Sequence, residues 1–187
     1  DRVAGRIAVV AGTGANSTTE AIELTQAAKD AGADACLLVT PYYNKPTQKG
    51  MVAHFTAVAK VTNKPIILYN VPGRTGVDLD NQSVVELMNI DNIVGIKDAT
   101  GDVSRVNVMK NANQEFKLFS GDDITSCQYV AEGGDGVISV TANVEPKLMA
   151  QMMSFLAEGK YQDAQAVDSK LVKLHQDLFI EPNPVPA

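Results

Sequence analysis

The chain has 187 residues and a formal net charge of −6, and 45% of its residues are hydrophobic. This length suits one domain with a sizeable core. The acidic balance, without an arginine-rich run, argues against a nucleic-acid partner. No apolar stretch approaches the ~20 residues that a membrane span requires, so no membrane interaction is predicted.

Cysteine and histidine usage predicts neither a disulfide nor a metal site. Cys36 falls in an apolar segment and Cys127 in a predicted helix, so both are expected to be reduced, packed thiols of a cytoplasmic protein. His54 and His175 are far apart in sequence, and neither lies near a cysteine or carboxylate cluster with metal-ligand spacing.

Apolar segments alternate with amphipathic segments along the whole chain. The alternation predicts a parallel sheet with both faces covered. The predicted strands are residues 6–11, 35–40, 65–69, 93–97, 117–120 and 136–140. The predicted helices are residues 18–31, 48–61, 80–88, 103–111, 124–132, 146–157 and 161–178, with glycines 32, 133 and 134 placed where helices should stop.

Two parallel architectures are compatible with this order: a doubly wound open sheet and an eight-stranded barrel. Polar residues follow the carboxyl ends of five of the six predicted strands. An open sheet needs such residues only at its switch point, whereas every strand of a barrel feeds one mouth. The pattern therefore favours a TIM (β/α)8 barrel. Six strands cannot close an eight-stranded barrel, so the chain is expected to be incomplete.

The segment Gly12-Thr13-Gly14 invites a dinucleotide-binding interpretation, but Ser17 stands where the fingerprint needs a third glycine. A capping box is the stronger interpretation, with Ser17 as N-cap and Glu20 reaching back to its amide. Tyr42 and Tyr43, taken alone, are best explained as packing residues whose hydroxyls reach water.

Lys97 ends a strand-like apolar segment. Burying an ammonium there costs free energy, so a lysine at this position suggests that its amine has a functional role. Desolvation disfavours the ammonium and lowers its pKa, which makes a nucleophilic amine available for Schiff-base formation. A lysine that snorkels to solvent is the usual alternative. Tyr69 ends the preceding strand and would be a neighbour able to pass a proton. The turn from Pro72 to Gly76 would carry Arg74 over the mouth, where it could bind a carboxylate.

At these residues the chain resembles the dihydrodipicolinate synthase and N-acetylneuraminate lyase family of pyruvate-dependent class I aldolases. The matching stretches run across the chain in the family's order: AGTGAN at 11–16, TPYYNKP at 40–46, YNVPGRTG at 69–76, GIKDATG at 95–101, SGDD at 120–123, GVISVTAN at 136–143 and EPNPVP at 181–186. The resemblance implies a lyase that condenses pyruvate with aspartate semialdehyde to give 4-hydroxy-tetrahydrodipicolinate, on the route to lysine. It implies no metal or organic cofactor, because the lysine itself acts as the electron sink.

The resemblance also implies a role for individual residues. Lys97 is similar to the Schiff-base lysine, Tyr69 to the neighbouring proton relay, and Arg74 to the arginine that receives the carboxylate of aspartate semialdehyde. Tyr43 is similar to the tyrosine inserted across a subunit contact of a dimer or tetramer. The other implied positions are a backbone wall at Gly121 and Ile138 and a feedback lysine site at Asn16, Glu20 and Tyr42.

The resemblance further implies that the chain covers roughly strands three to eight of the barrel as one partial domain, residues 1–187. The family's first two strands, with a threonine-bearing turn, and its C-terminal helices are not in the sequence, so the fragment alone is expected to be inactive. Two other functions stay open. A sister aldolase such as N-acetylneuraminate lyase would keep Lys97 and Tyr69, and a non-catalytic relative would bind lysine or a keto acid.

Overall fold

The structure, a computed structural model, describes residues 2–187 and is built on a six-stranded parallel sheet whose strands follow the chain order. The strands are β1 Val10–Gly12, β2 Ala35–Val39, β3 Ile66–Asn70, β4 Ile93–Asp98, β5 Lys117–Ser120 and β6 Gly136–Val137. A doubly wound sheet reverses its strand order at a switch point. The uninterrupted order therefore excludes that arrangement, and the sheet is a parallel half-barrel.

Helices separate the strands and cover one face of the sheet. They are α1 Thr18–Asp30, α2 Gln48–Ala59, α3 Pro72–Thr75, α4 Asn81–Leu87, α5 Arg105–Ala112, α6 Asp123–Ala131, α7 Pro146–Ala157 and α8 Tyr161–Asp177, with a 3-10 turn at Thr141–Asn143. Four of the helices begin at a side chain that accepts a hydrogen bond from the amide three residues on. These caps are Ser17, Thr47, Asp80 and Asp122. Among residues 2–187, no helix combines the length and apolar character needed to cross a bilayer.

The two faces of the sheet differ in burial. Cys36, Leu38 and Leu68 are fully buried and belong to the core that the strands share with the helices. Leu37 and Val39, which alternate with them in β2 and therefore point to the other face, are only half-buried. The prediction that both faces are covered is therefore wrong for the described residues: helices cover the outer face, and the inner face is partly open.

The first and last predicted strands are too long. Residues 6–9 lie outside β1, because the chain turns there and the Arg6 side chain donates to the carbonyls of Arg2 and Val3. β6 ends at Val137 rather than residue 140, because the chain leaves the sheet for the 3-10 turn that starts at Thr141. The other predicted strand bounds agree with the structure to within one residue.

Helix boundaries were predicted well where glycine stops them. Gly32 and Gly133 follow the ends of α1 and α6 with φ of 85° and 110°, a left-handed backbone that favours glycine. The capping box is half formed, since the Glu20 amide donates to Ser17 Oγ at 3.4 Å. No bond from the Glu20 carboxylate to the Ser17 amide is present in the described part of the chain.

An irregularity between β3 and β4 sets their alignment. Ile66 pairs with Ile93, but Ile67 pairs with Gly95, so Val94 is an extra residue in β4. From that point Tyr69 pairs with Lys97, and Asn70 pairs with Asp98. The bulge therefore decides which side chains lie beside each other at the carboxyl ends of the two strands.

A buried ion pair joins the end of β4 to α5. Arg105 Nε donates to Asp98 Oδ2 at 2.7 Å, and Arg105 Nη2 donates to the carbonyl of Leu79 at 2.8 Å. The Asp98 and Arg105 side chains are 1% and 8% exposed. Breaking a buried pair leaves an uncompensated charge, which is strongly destabilising.

We predict that Arg105→Met lowers the free energy of unfolding by about 3–5 kcal/mol, because the Asp98 carboxylate then stays buried without its partner. Lys173→Met is a matched control, since Lys173 forms an exposed pair with Asp177 on α8. The control should cost no more than about 0.5 kcal/mol. Denaturant unfolding of both variants measures the difference, and equal losses would contradict the prediction.

Candidate active site

Lys97 and Tyr69 lie side by side at the carboxyl ends of β4 and β3, as predicted. The two residues are paired in the parallel ladder, and Lys97 Nζ lies 4.2 Å from the centroid of the Tyr69 ring. Because alternate residues of a strand point to opposite faces, both side chains point into the half-barrel, while Asn70 and Asp98 point toward the helices. Lys97 therefore does not snorkel outward.

The surroundings of Lys97 favour its neutral amine. Burial lowers the pKa of Lys97, and the nearby Arg74 guanidinium lowers it further, whereas the Asp123 carboxylate opposes both. Burial raises the pKa of the Tyr69 phenol, although Arg74 opposes this effect. The pair thus consists of an amine that loses its proton readily and a phenol that keeps its proton.

A cavity of about 410 Å³ opens beside Lys97. Tyr69, Arg74, Gly121 and Val140 line it, so the structure brings together four chain segments that are far apart in sequence. Arg74 is exposed in the one-turn helix α3, which ends at Gly76 in the left-handed conformation with φ of 75°. The predicted turn is therefore present as a short helix that carries Arg74 to this cavity.

Gly121 leaves room for the lysine side chain. A Cβ atom at this position would lie 2.9 Å from Lys97 Cε and 2.9 Å from Ala99 Cβ, and the latter cannot swing away. The Gly121 amide donates to the carbonyl of Asp98 at 2.7 Å. Ile138, predicted as a second wall position, follows β6, and its amide donates to the carbonyl of Ser120. Val140 is the nearby residue that lines the cavity.

The C-terminal segment after α8 reaches the same cavity, which the sequence patterns did not predict. Phe179 and Asn183 contribute to its lining. Arg74 Nη1 donates to the carbonyl of Asn183 at 3.4 Å. Nothing in hydrophobic periodicity signals this contact, because it joins residues 109 positions apart.

A second cavity of about 440 Å³ adjoins the first and shares Tyr69 and Arg74 with it. Tyr42 lines this cavity, and Asn16 Nδ2 donates to the Tyr42 carbonyl at 3.2 Å. Glu20 lies exposed in the first turn of α1. Two of the three predicted lysine-site residues are therefore in direct contact.

Tyr43 lies in the loop after β2 rather than on the strand, which ends at Val39. Its side chain is 89% exposed, and its φ is 73°, in the left-handed region that tyrosine seldom adopts. Tyr43 does not line the cavity beside Lys97.

The glycine-rich segment after β1 has a packing role. A Cβ at Gly14 would lie 2.4 Å from the Val39 amide nitrogen, so only glycine permits this close approach to β2. Cys36 and Cys127 are both free and buried, as predicted. Within residues 2–187, no three His, Cys, Asp or Glu side chains are grouped as metal ligands would be.

A parallel α/β half-barrel with a paired lysine and tyrosine at its strand ends defines a barrel protein with its site at the carboxyl edge of the sheet. Comparison with known proteins identifies the family. The family model for the dihydrodipicolinate synthetase family matches residues 1–187, and the chain belongs to that family.

Individual relatives agree with this assignment. The chain is 56% identical to the 4-hydroxy-tetrahydrodipicolinate synthase of Saccharophagus degradans, over 100% of the chain and 64% of the relative. It matches the crystal structure of the chloride-inhibited dihydrodipicolinate synthase of Acinetobacter baumannii complexed with pyruvate, with a TM-score of 0.96 and 54% identity, over 98% of this chain and 64% of that one. The dihydrodipicolinate synthase of Cyanidioschyzon merolae with lysine bound matches with a TM-score of 0.95 and 37% identity, over 98% and 63%.

The chain therefore spans a little less than two thirds of the length of these relatives.

We predict that Arg74→Gln raises the pH at which Lys97 becomes reactive. The guanidinium disfavours the nearby ammonium, so its loss raises the pKa of Lys97 and shifts the reactivity midpoint upward. Reductive methylation across a pH series, with peptide mass spectrometry of Lys97, measures the midpoint. Arg6→Gln, which removes an exposed arginine of the N-terminal turn, should leave the midpoint unchanged. A downward or absent shift in Arg74→Gln would contradict the electrostatic assignment.

Proposed function

We propose that the protein containing this chain is a Schiff-base lyase that condenses pyruvate with L-aspartate semialdehyde to give 4-hydroxy-tetrahydrodipicolinate, in diaminopimelate and lysine biosynthesis. The observation that carries the proposal is the half-buried Lys97 amine, held against the Tyr69 ring in a cavity that also contains an arginine. Relatives more than 50% identical over the whole chain bear the corresponding enzyme name.

The chemistry follows from an amine with a lowered pKa. Neutral Lys97 attacks the ketone carbon of pyruvate, and loss of water leaves an imine. Loss of a proton from the methyl carbon gives an enamine, whose carbon bonds to the aldehyde carbon of the second substrate. The amino group of the condensed aspartate semialdehyde then attacks the imine carbon, which closes the ring and displaces the Lys97 amine. Tyr69 is the proton carrier for these steps, since its half-buried phenol has a raised pKa and its ring lies against the amine.

The backbone at Gly121 and Ile138 forms part of the pocket wall around the keto acid. Gly121 suits this role because the absent side chain leaves the Lys97 chain room to bend toward a substrate. Ile138 suits it because the carbonyl of Ser120 fixes its amide at the end of β5, beside Gly121. No metal or organic cofactor takes part, because the imine nitrogen acts as the electron sink.

Arg74 selects the acidic aldehyde by binding its carboxylate. We predict that Arg74→Ala keeps the pyruvate adduct at Lys97 but lowers kcat/KM for aspartate semialdehyde about 10- to 100-fold, the value of one charged hydrogen-bonded contact. Steady-state assays with aspartate semialdehyde and with a neutral sugar aldehyde measure the preference. Efficient turnover of the sugar aldehyde by the unaltered protein would favour the sister activity, typified by N-acetylneuraminate lyase.

The 187 residues form a partial domain, which corresponds roughly to strands three to eight of a TIM barrel. Two features support this: both terminal strands, β1 and β6, pair on one side only, and the inner face of the sheet is partly open. Two further strands, with the threonine-bearing turn of the resemblance, would close the barrel. On this view the 187 residues alone are inactive, and a fully active 187-residue protein would contradict it.

Tyr43 completes the relay of a neighbouring subunit in a homodimer or tetramer. Its exposed ring sits on a backbone conformation that costs a non-glycine residue about 1–3 kcal/mol, which a subunit contact would offset. The complete protein should sediment as a dimer or larger. A strictly monomeric active protein would contradict this role.

Asn16, Glu20 and Tyr42 form a site for feedback lysine. Asn16 and Tyr42 are already in contact, and Glu20 supplies a charge that suits an amino group. Lysine binding by calorimetry, lost in Glu20→Ala, is the expected result. Lysine binding without any pyruvate adduct would instead favour a non-catalytic binding protein.

A cytoplasmic location accords with the two free, buried thiols.

We predict that pyruvate with borohydride adds one reduced pyruvate unit to Lys97 of the complete protein, because hydride traps the imine irreversibly. Intact-mass and peptide mass spectrometry locate the unit. Lys97→Ala should abolish the labelling, whereas Lys117→Ala, which removes another strand lysine, should not. Labelling that survives Lys97→Ala would refute the assignment.

A further inference from the structure

A buried histidine on the outer helix layer is connected to the Lys97 site. His175 lies on α8 and is 0% exposed, and its Nδ1 is 2.7 Å from Thr141 Oγ1. Its Nε2 faces Asp168 Oδ1 at 3.7 Å, too far for a hydrogen bond. Because Nε2 faces a carboxylate, we place the imidazole proton there, so that the Thr141 hydroxyl donates to Nδ1.

Thr141 in turn belongs to the chain segment that holds Asp123. The amides of Val140 and Thr141 both donate to Asp123 Oδ2 at 2.9 Å. Asp123 is 2% exposed, and its other oxygen, Oδ1, is buried without a hydrogen-bond partner within the described chain. The turn therefore fixes a carboxylate that would otherwise be poorly anchored.

Asp123 is the carboxylate that acts on Lys97, where it raises the pKa of the amine against the effect of burial. Val140 itself lines the cavity beside Lys97. The hydrogen bonds thus run from α8 through the Val140–Thr141 turn to the Asp123 carboxylate, and the same turn lines the cavity beside Lys97 through Val140.

We propose that His175 is a positioning residue of the Lys97 site: through Thr141 it fixes the Val140–Thr141 turn, which holds the Asp123 carboxylate in place beside the lysine. This inference rests on the proposed Schiff-base function, because its readout is imine formation. His175 does not touch substrate and acts only through the turn.

Within the described residues, a small set of charged and polar groups surrounds Lys97 and His175. Lys97 is faced by Tyr69 of β3, Arg74 of α3 and the acidic pair Asp122 and Asp123 at the start of α6. His175 is faced by Thr141 and by Asp168 of its own helix. Burial, together with the nearby Asp168 carboxylate, raises the pKa of the Cys127 thiol of α6 to about 11.

The test measures the pH midpoint of borohydride trapping of pyruvate on Lys97 in the complete protein. In His175→Leu the turn loses its anchor and Asp123 no longer supports the ammonium, so the midpoint shifts to lower pH. Asp123→Asn should shift it in the same direction. The variant that combines His175→Leu with Asp123→Asn should shift the midpoint no further than Asp123→Asn alone, because both changes remove the same effect of the Asp123 carboxylate on Lys97. His175→Asn, whose amide can replace Nδ1, should return the midpoint toward that of the unaltered protein.

His54 supplies a matched control. It is also a buried histidine, with Nδ1 2.9 Å from the Thr18 hydroxyl and Nε2 without a hydrogen-bond partner in the described residues. It lies on α2. His54→Leu should lower the free energy of unfolding without moving the trapping midpoint. A merely structural His175 would behave in the same way.

Two outcomes separate the inference from the proposed function. If the unaltered protein forms no trapped adduct, the proposed function fails and the inference fails with it. If the unaltered protein is trapped but His175→Leu keeps its midpoint, only the inference is overturned. Should His175→Leu not fold, Thr141→Val removes the same hydrogen bond without altering α8, and an unchanged midpoint there overturns the inference equally.

Discussion

The alignment of β3 with β4 is the constraint on which the rest of the structure depends. It places Tyr69 beside Lys97 on the inner face and Asn70 beside Asp98 on the outer face. The outer pair is anchored by hydrogen bonds, since Asn70 donates to Asp78 at 2.7 Å and Asp98 accepts from Arg105 at 2.7 Å. Because the same two strand ends carry both pairs, the bonds on the helix side hold the reactive side chains on the cavity side.

Opposing charges set the protonation of the site. Burial and Arg74 both push Lys97 toward its neutral form, while Asp123 pushes it back. A group balanced in this way responds to movements of either charged neighbour, because the interaction between two charges changes with their separation. The anchors of Arg74 and Asp123 therefore matter as much as the residues themselves. Arg74 is held by the Asn183 carbonyl, and Asp123 by the amides of Val140 and Thr141.

The sequence predicted a parallel α/β sheet and the bounds of its four central strands because apolar strands and amphipathic helices alternate without a break. It also predicted the contact between Lys97 and Tyr69, since the ends of successive parallel strands meet at one edge. The bounds of the outer strands were predicted less well, because an apolar stretch shows which residues can be buried but not which residues pair with a neighbouring strand. For β1 only three residues find a partner in β2.

Contacts that depend on tertiary packing were beyond sequence reasoning. Arg105 looks like an ordinary helix arginine, and only the fold shows that it is 7% exposed and bonded to Asp98. The sequence pattern excludes His175 only as a metal ligand, because no cysteine or carboxylate cluster has the required spacing, and it gives no sign that the fold brings His175 to Thr141. Asn183 likewise reaches Arg74 across 109 positions. A polar residue at a helical core position was the one available signal, and His175 in the buried stripe of α8 carries it.

The extra residue in β4 also decides to which face of the sheet Lys97 points. Before the bulge the partner of a β3 residue lies 27 positions further along the chain, and after it 28, as Ile66 with Ile93 and Tyr69 with Lys97 show. If Val94 paired with Ile67 in an unbroken ladder, Ile96 would lie opposite Tyr69. Only glycine fits at position 95, because a Cβ there would lie 2.6 Å from the Lys117 carbonyl oxygen. In such an unbroken ladder Lys97 would lie opposite Asn70 and point toward the helices, so the bulge keeps the lysine amine inside the half-barrel.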